Sequence, residues 1–451
     1  MAIRGRVGRH AKTNKQCQNR KADQEVVVSL INRIAVTDGG AEGLLTAPIV
    51  GGFSSQQLFT AILYFQKKHF SESPTGFVEP GGLMLAKLES LAAKPPPSPV
   101  SKSDLWDNVN DPAFRKELRK AMEDDGKIDY EEAIEIVRHV MSDGFINPVE
   151  VNDLEALALH SKSMPPAARH LLKSFVFHLR WEHKYGRAFM LTTDKHLRSV
   201  NTVCDFLKNS GRVHFKKLNR YDVGVGILMR IANPGLLQQG AASLCGPAAL
   251  LFNIANDTPI IYARFAIDLF EKGEAVLGRI NIKPGEDVRN YDPPIAQVDW
   301  MTMASIRDSE NWFLDYDTAG KELAGVTLPG ELADWFRKSG YRDVREDTNL
   351  SAAFTKGAST IDEANRLFDQ GYSVCLFIAA QMLEEKEQSI KGSIFDKHWI
   401  VQRSRINYSN DKVRLKVFSW GDGQYSIPNG NADLKLSKFT QNFYGYVAGK
   451  P

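Results

Sequence analysis

Cysteine is scarce in this chain: Cys17, Cys204, Cys245 and Cys375 are the only four among 451 residues. So few thiols in so long a chain exclude a disulfide framework. None stand as C-x-x-C, which argues against a zinc site built on thiolates. Folding in a reducing cytoplasm is therefore expected, and at least one thiol needs its own explanation. Long apolar runs are lacking too. No stretch reaches the roughly 20 residues of a membrane span. Net charge is only +3, so no general polyanion-binding surface is implied and nucleic acid is not an expected partner. Histidines do not pair into a metal motif such as H-E-x-x-H, and no cofactor is called for. The first residues depart from this balance: Arg4, Arg6, Arg9, Lys12, Lys15, Arg20 and Lys21 stand against Asp23 alone. That segment lacks the apolar stretch of a Sec-type signal peptide. It reads as a basic disordered arm, residues 1–23.

What is present is ordinary globular material, 43% hydrophobic and 25% charged, enough for two or three cores at roughly 100–200 residues each. The run Lys94-Pro95-Pro96-Pro97-Ser98-Pro99 cannot be helix or central strand, because proline fixes φ and lacks a donor. Residues 93–104 therefore read as a stiff linker. Before it, residues 24–92 read as a small helical domain. Leu58, Ile62 and Phe65 make one helix face, and Met84, Leu88 and Leu91 make another. Gly76, Pro80, Gly81 and Gly82 mark the turn between them. The order Ala61-Ile62-Leu63-Tyr64-Phe65-Gln66, then Thr75-Gly76-Phe77-Val78-Glu79-Pro80, then Leu85 and Leu88 resembles peptidoglycan-binding-like three-helix domains. Thr75 stands where those domains carry aspartate, and Gly82 where they carry threonine.

Residues 105–224 read as a helical middle region, with Asp111-Pro112 as an N-cap and first helical residue. The stretch Asp124-Asp125-Gly126-Lys127-Ile128-Asp129 has the outline of a calcium loop. Placing Gly126 sixth puts Ala121 first, where a carboxylate is needed, so helix-joining turn chemistry is the better reading. From 225 to 451 the pattern changes to helices (247–272, 329–338, 361–370) followed by strand-like runs at 372–379, 398–405, 413–420 and 443–448. Helices first and antiparallel strands last predict an α+β fold. Residues 274–360 would be an insertion between the two parts. Within it, Asp299-Trp300-Met301-Thr302-Met303 and Asn311-Trp312-Phe313 are apolar enough to line a core or a cleft.

The chemistry concentrates at Gln238-Gln239-Gly240-Ala241-Ala242-Ser243-Leu244-Cys245-Gly246-Pro247-Ala248. A thiol attacks only as thiolate. Pro247 beside an apolar helical run places Cys245 at the first turn of a helix, where free amides and the dipole favour a negative sulfur. Gln239, six residues upstream, could donate its amide to an oxyanion. No histidine is near in sequence, but His398 opens the apolar strand His398-Trp399-Ile400-Val401, 153 residues on (398 − 245). A turn at Ser409-Asn410-Asp411 would fold the chain back so that residues 419–423 face His398. Ser419 and Asp422 both fall there. Asp422 is the better chemical choice, because a carboxylate both aims and stabilises imidazolium.

Gln239, Cys245-Gly246-Pro247-Ala248 and His398-Trp399 together resemble papain-fold cysteine peptidases, in particular bacterial double-glycine-type peptidases and cysteine-protease effectors delivered by type VI secretion. The resemblance covers about residues 225–451. It implies a papain-like catalytic domain, a helical part plus an antiparallel sheet, preceded by small all-helical domains. It further implies Cys245 as nucleophile, His398 as base and Gln239 as oxyanion donor, with no cofactor. Papain has Asn-Ser-Trp-Gly where this chain has Phe418-Ser419-Trp420-Gly421, which leaves a Cys–His dyad or Asp422 open. The expected function is that of a toxin-like cysteine peptidase cleaving a target-cell protein. A peptidoglycan amidase or endopeptidase, or a glutamine deamidase, would use the same pair; a non-catalytic adaptor is the remaining alternative. Synthesis in a bacterial cytoplasm, export by a dedicated secretion machine and neutralisation by an immunity protein are what the resemblance implies for location and partners.

Overall fold

A computed structural model describes residues 3–8, 17–34, 38–40, 56–70, 75–93, 109–123, 126–142, 148–159, 164–184, 194–209, 211–239, 244–293, 295–310, 327–348, 355–383, 397–419, 424–428 and 434–451. The chain forms two compact units. One comprises Met1–Ser210, Leu218–Gly226 and Asp292–Gln297; the other comprises Gly211–Lys217, Ile227–Tyr291 and Val298–Pro451.

The first unit begins with β1 (Val7–Gly8), α1 (Lys21–Arg33), α2 (Gln56–His69), β2 (Phe77–Val78) and α3 (Leu83–Ala92). Ile3, Val7, Val27, Ile62, Phe65 and Leu88 share one buried cluster. The expected disordered arm is thus corrected over its described part. Val7 pairs with Val78, Asn19 bonds both the N–H and the carbonyl of Gly8 at 2.8 Å, and Asp23 accepts from the Arg4 N–H at 2.9 Å. The positive side chains hid this, because what docks is the backbone and two apolar residues. Gln66 explains why the Phe65-Gln66 helix and the Thr75-Gly76-Phe77 turn occur together. Its amide donates to Thr75 Oγ1 (2.8 Å) and to the Phe77 carbonyl (3.0 Å), and its Oε1 accepts the Gly76 N–H at 2.8 Å.

The middle region is helical as read: α4 (Pro112–Ala121), α5 (Tyr130–Ser142), α6 (Pro148–Leu159), α7 (Pro166–Lys184) and α8 (Asp194–Lys208). Asp111 caps α4 by accepting the Phe114 N–H at 2.9 Å. At the turn once weighed as a calcium loop, Asp129 and Glu132 are engaged in a reciprocal cap of α5, at 2.8 and 2.7 Å. The proline-rich linker, beyond residue 93, lies outside the described residues.

The second unit holds the last turns of α9 (Arg220–Ala232), then α10 (Cys245–Asp257), α11 (Pro259–Lys272), the hairpin β3 (Ala275–Leu277) and β4 (Ile280–Ile282), α12 (Glu286–Asn290), α13 (Gln297–Glu310) and α14 (Pro329–Ser339). Then come β5 (Arg342–Thr348), α15 (Ala358–Asp369), β6 (Ser373–Ala379), β7 (Lys397–Gln402), β8 (Leu415–Phe418), β9 (Gln424–Ile427), α16 (Leu436–Thr440) and β10 (Phe443–Lys450). Six strands form an antiparallel sheet in the order β5-β10-β6-β7-β8-β9, so the chain is α+β. Strand alternation gives the sheet two buried faces. Leu376, Ile378 and Ile400 meet Ile361, Ala364 and Leu367 of α15 on one. On the other lies α10: its Phe252 stacks on Phe418 with ring centroids 4.3 Å apart, and its Asn253 amide donates to Cys375 Sγ at 3.3 Å. The segment 274–360, expected as an insertion, supplies the edge strand β5 and so belongs to the sheet.

Candidate active site

Cys245 is the first residue of α10, as the Gly246-Pro247 signal requires. Leu244 precedes it at the N-cap and offers no side-chain cap to the first amides. Residues 246–255 are buried throughout, whereas Cys245 keeps partial exposure. The three other cysteines are buried. Burial pushes the Cys204 thiol up to about 12 and Cys375 further still.

The helix start is pinned from one side by Thr327, which lies so close that a Cβ on Gly246 would fall 2.2 Å from Thr327 Oγ1. Thr327 is held in turn: its carbonyl accepts the Trp399 indole N–H at 3.0 Å, and its hydroxyl lies 3.4 Å from Arg307 Nη1. Arg307 is buried and also reaches Glu331 Oε2 at 3.5 Å. Trp399 stacks on its cross-strand partner Phe377, with centroids 4.5 Å apart.

On β7, the backbone N–H of Trp399, in the peptide that joins it to His398, is near enough to the Cys245 thiol to favour its charged form. Among the described residues β8 pairs with β7 at Val401 and Gln402. Burial raises the thiol above its ordinary value, against the pull of the Trp399 N–H, the Arg307 charge and the amides of Gly246 and Cys245. The helix terminus on its own does not yield a thiolate here, so ionisation needs a further positive partner.

His398 is buried, and its Nε2 lies 2.7 Å from Ser419 Oγ, which is also buried. Strand alternation sends the two neighbouring side chains to opposite faces, Trp399 toward Phe377 and His398 toward Ser419. The contact places Ser419 to orient the imidazole ring. Asp422, the other candidate for the third position, lies outside the described residues. Lys397, just before His398, is capped by aromatic rings, with Nζ 4.1 Å from the Tyr444 centroid. Burial lowers its pKa.

Gln239 is buried, and its side-chain amide bonds to no other described residue. Its backbone neighbour is tightly held: the Gln238 N–H donates to Asp299 Oδ2 at 2.9 Å. The structure thus brings Cys245 near the His398–Trp399 peptide and joins His398 to Ser419, while Gln239 stands on its own anchored segment. Arg307 and Thr327 escaped the sequence reading. A single arginine on a helix carries no mark that it will be buried, and Thr327 lies just before a helix, outside regular structure. Among the described residues no cluster of three His, Cys, Asp or Glu side chains is placed to hold a metal, and no helix is long and apolar enough to cross a membrane. No protein-family model, curated protein or solved structure matches the chain.

Proposed function

We propose that this chain is a cysteine hydrolase of papain-like architecture, a toxin-like effector that cleaves a peptide bond in a target-cell protein. One observation carries the reading. The only cysteine of the four that is not buried begins a helix, its thiol lies near the backbone N–H of Trp399, and the ring of the preceding His398 is oriented by Ser419. Such a set can attack an acyl carbon. The Cys245 thiolate adds to the carbonyl, and the oxyanion that forms takes hydrogen bonds from Gln239 and the helix amides. His398, protonated, gives a proton from its ring nitrogen to the leaving amine as the C–N bond breaks, leaving a thioester on Cys245. Water, deprotonated by the same nitrogen, then releases the carboxylate and restores the thiol. Ser419 holds the ring through Nε2 in both steps.

The N-terminal helical unit favours a second substrate, the peptide of peptidoglycan, because the Gln66 clamp on Thr75-Gly76-Phe77 accounts for the parts of the wall-binding-like motif. Export by a dedicated secretion machine and an immunity partner rest on the effector resemblance.

The test is alkylation of the native protein by iodoacetamide between pH 5 and 8, with each cysteine followed by mass spectrometry. Fast labelling of Cys245 below pH 7, slowed in His398→Ala, is expected. Labelling no faster than that of Cys204 and Cys375 would remove the assignment and leave an adaptor. Release of muropeptides from purified sacculi by the wild type, absent in Cys245→Ala, would select the wall substrate over a protein one.

A further inference from the structure

Gln239 must be held still to serve as an oxyanion donor, yet it lies on irregular chain between α9 and α10. The preceding residues are fixed one after another. Asn233 accepts the Gly235 N–H at 3.0 Å and opens a single 3-10 turn over Pro234–Leu236. Leu237 is fully buried, and its N–H closes on the Pro234 carbonyl at 3.1 Å. The Gln238 N–H then finds Asp299, on α13. That carboxylate is itself gripped in a two-pronged contact by Arg230 of α9, Nε to Oδ1 at 2.9 Å and Nη2 to Oδ2 at 2.6 Å. Arg230 is 3% exposed and Asp299 0%.

A buried ion pair is a poor device for stability alone, since apolar residues of the same volume often do as well or better. What apolar residues cannot do is accept a peptide N–H at a defined point. Burial works against ionisation of the Asp299 carboxyl, and both Arg230 and the Gln238 N–H work for it. The same three groups therefore keep one another in place.

We infer that the Arg230–Asp299 pair is the positioning device for Gln239. By fixing the Gln238 peptide it aims the next residue's amide at the oxyanion formed on the carbonyl that Cys245 attacks. This rests on the hydrolase reading above, and the pair acts through Gln239 without touching substrate.

Two reagents separate positioning from general damage. Iodoacetamide alkylates the thiolate by displacement at a saturated carbon and forms no oxyanion. p-Nitrophenyl acetate acylates it through a tetrahedral oxyanion and releases p-nitrophenolate, leaving an acetyl thioester. Both rates are measured at Cys245 for the wild type, Gln239→Ala, Asp299→Asn and the double variant Arg230→Met/Asp299→Leu. The double variant keeps the site filled by apolar side chains, so the comparison survives if Asp299→Asn does not fold.

The expected result is acylation slowed on the order of ten- to a hundredfold in the Asp299 variants, approaching Gln239→Ala. Alkylation and its pH profile should stay within about threefold of wild type, given that removal of an oxyanion donor acts on acyl transfer. Wild-type acylation in both Asp299 variants, with Gln239→Ala slow, would overturn the positioning role. So would a parallel fall of acylation and alkylation in both, which would mark a merely structural pair. An unreactive Cys245 in the wild type, or unchanged acylation in Gln239→Ala, would instead overturn the reading on which this inference stands, and the inference with it.

Discussion

Gly246 shows how little freedom the nucleophile's surroundings have. A Cβ there would lie 2.2 Å from Thr327 Oγ1 and 2.4 Å from Thr327 Cβ, and a threonine tied through its carbonyl to Trp399 cannot swing aside. Gly246→Ala is expected to destabilise the protein by about 1–3 kcal/mol through overpacking. Urea unfolding would check this, and a midpoint equal to wild type would show that the contact yields. The thiol makes a prediction of a different kind. Its pKa is raised by burial, so on its own the thiolate becomes abundant only above the ordinary value of about 8.5. An imidazolium partner lowers that value by favouring the charged sulfur. In His398→Ala the pH at which alkylation of Cys245 reaches half its maximum should therefore move upward, past about 8.5. A half-point that does not move would separate the histidine from the thiol. Ser419→Ala removes the 2.7 Å contact with Nε2. A hydrogen bond worth about 1 kcal/mol corresponds to a loss of roughly fivefold in rate, read in the acylation assay.

Strand β10 lies between β5 and β6. Its Gly445 has φ +117, and a Cβ would fall 1.8 Å from the Asp347 carbonyl oxygen across the ladder. The register to β6 shifts at this residue, between Phe443 and Gly445, as a bulge does. Gly445→Ala should therefore cost more than about 1 kcal/mol and open the β5–β10 ladder. Faster hydrogen exchange of the β5 amides would report it, and unchanged protection there would contradict it. The same ladder explains a strand that the sequence conceals. Arg342–Thr348 is polar and mostly exposed, with no alternation to read, and it is a strand because β10 pairs with it. The helical run expected over 247–272 is two helices for a local reason. Thr258 ends α10 and Pro259 begins α11, a proline being welcome at a first helical position and disruptive in an interior.

Taken across the molecule, the four thiols form a graded set. Burial raises all four; Cys17, Cys204 and Cys375 are buried residues, whereas Cys245 keeps partial exposure and has backbone amides that oppose the rise. Brief native treatment with iodoacetamide at neutral pH should add one label per chain, and four after denaturation. Intact-mass spectrometry decides it, and more than one native label would mean that burial does not protect the other thiols.

Local chemistry announced itself in the chain. Asp111-Pro112 starts a helix, Cys245-Gly246-Pro247 starts another, and the apolar runs near 373–379, 397–402, 415–418 and 443–450 are strands, because capping, proline geometry and side-chain period act over a few residues. The association of Cys245 with the strand of His398 was legible only as a resemblance. What lay beyond reach was every feature that depends on distant chain segments meeting. The Trp399 peptide N–H comes near the Cys245 thiol only because β7 and the start of α10, far apart in sequence, meet. Arg230 and Asp299, 69 residues apart, are ordinary helix charges until folding buries them against each other. Ser419 reaches His398 because the pairing of β8 with β7 brings it there. Hydrogen-bond partners and desolvation are properties of neighbours in space, and a sequence records neighbours only along the chain.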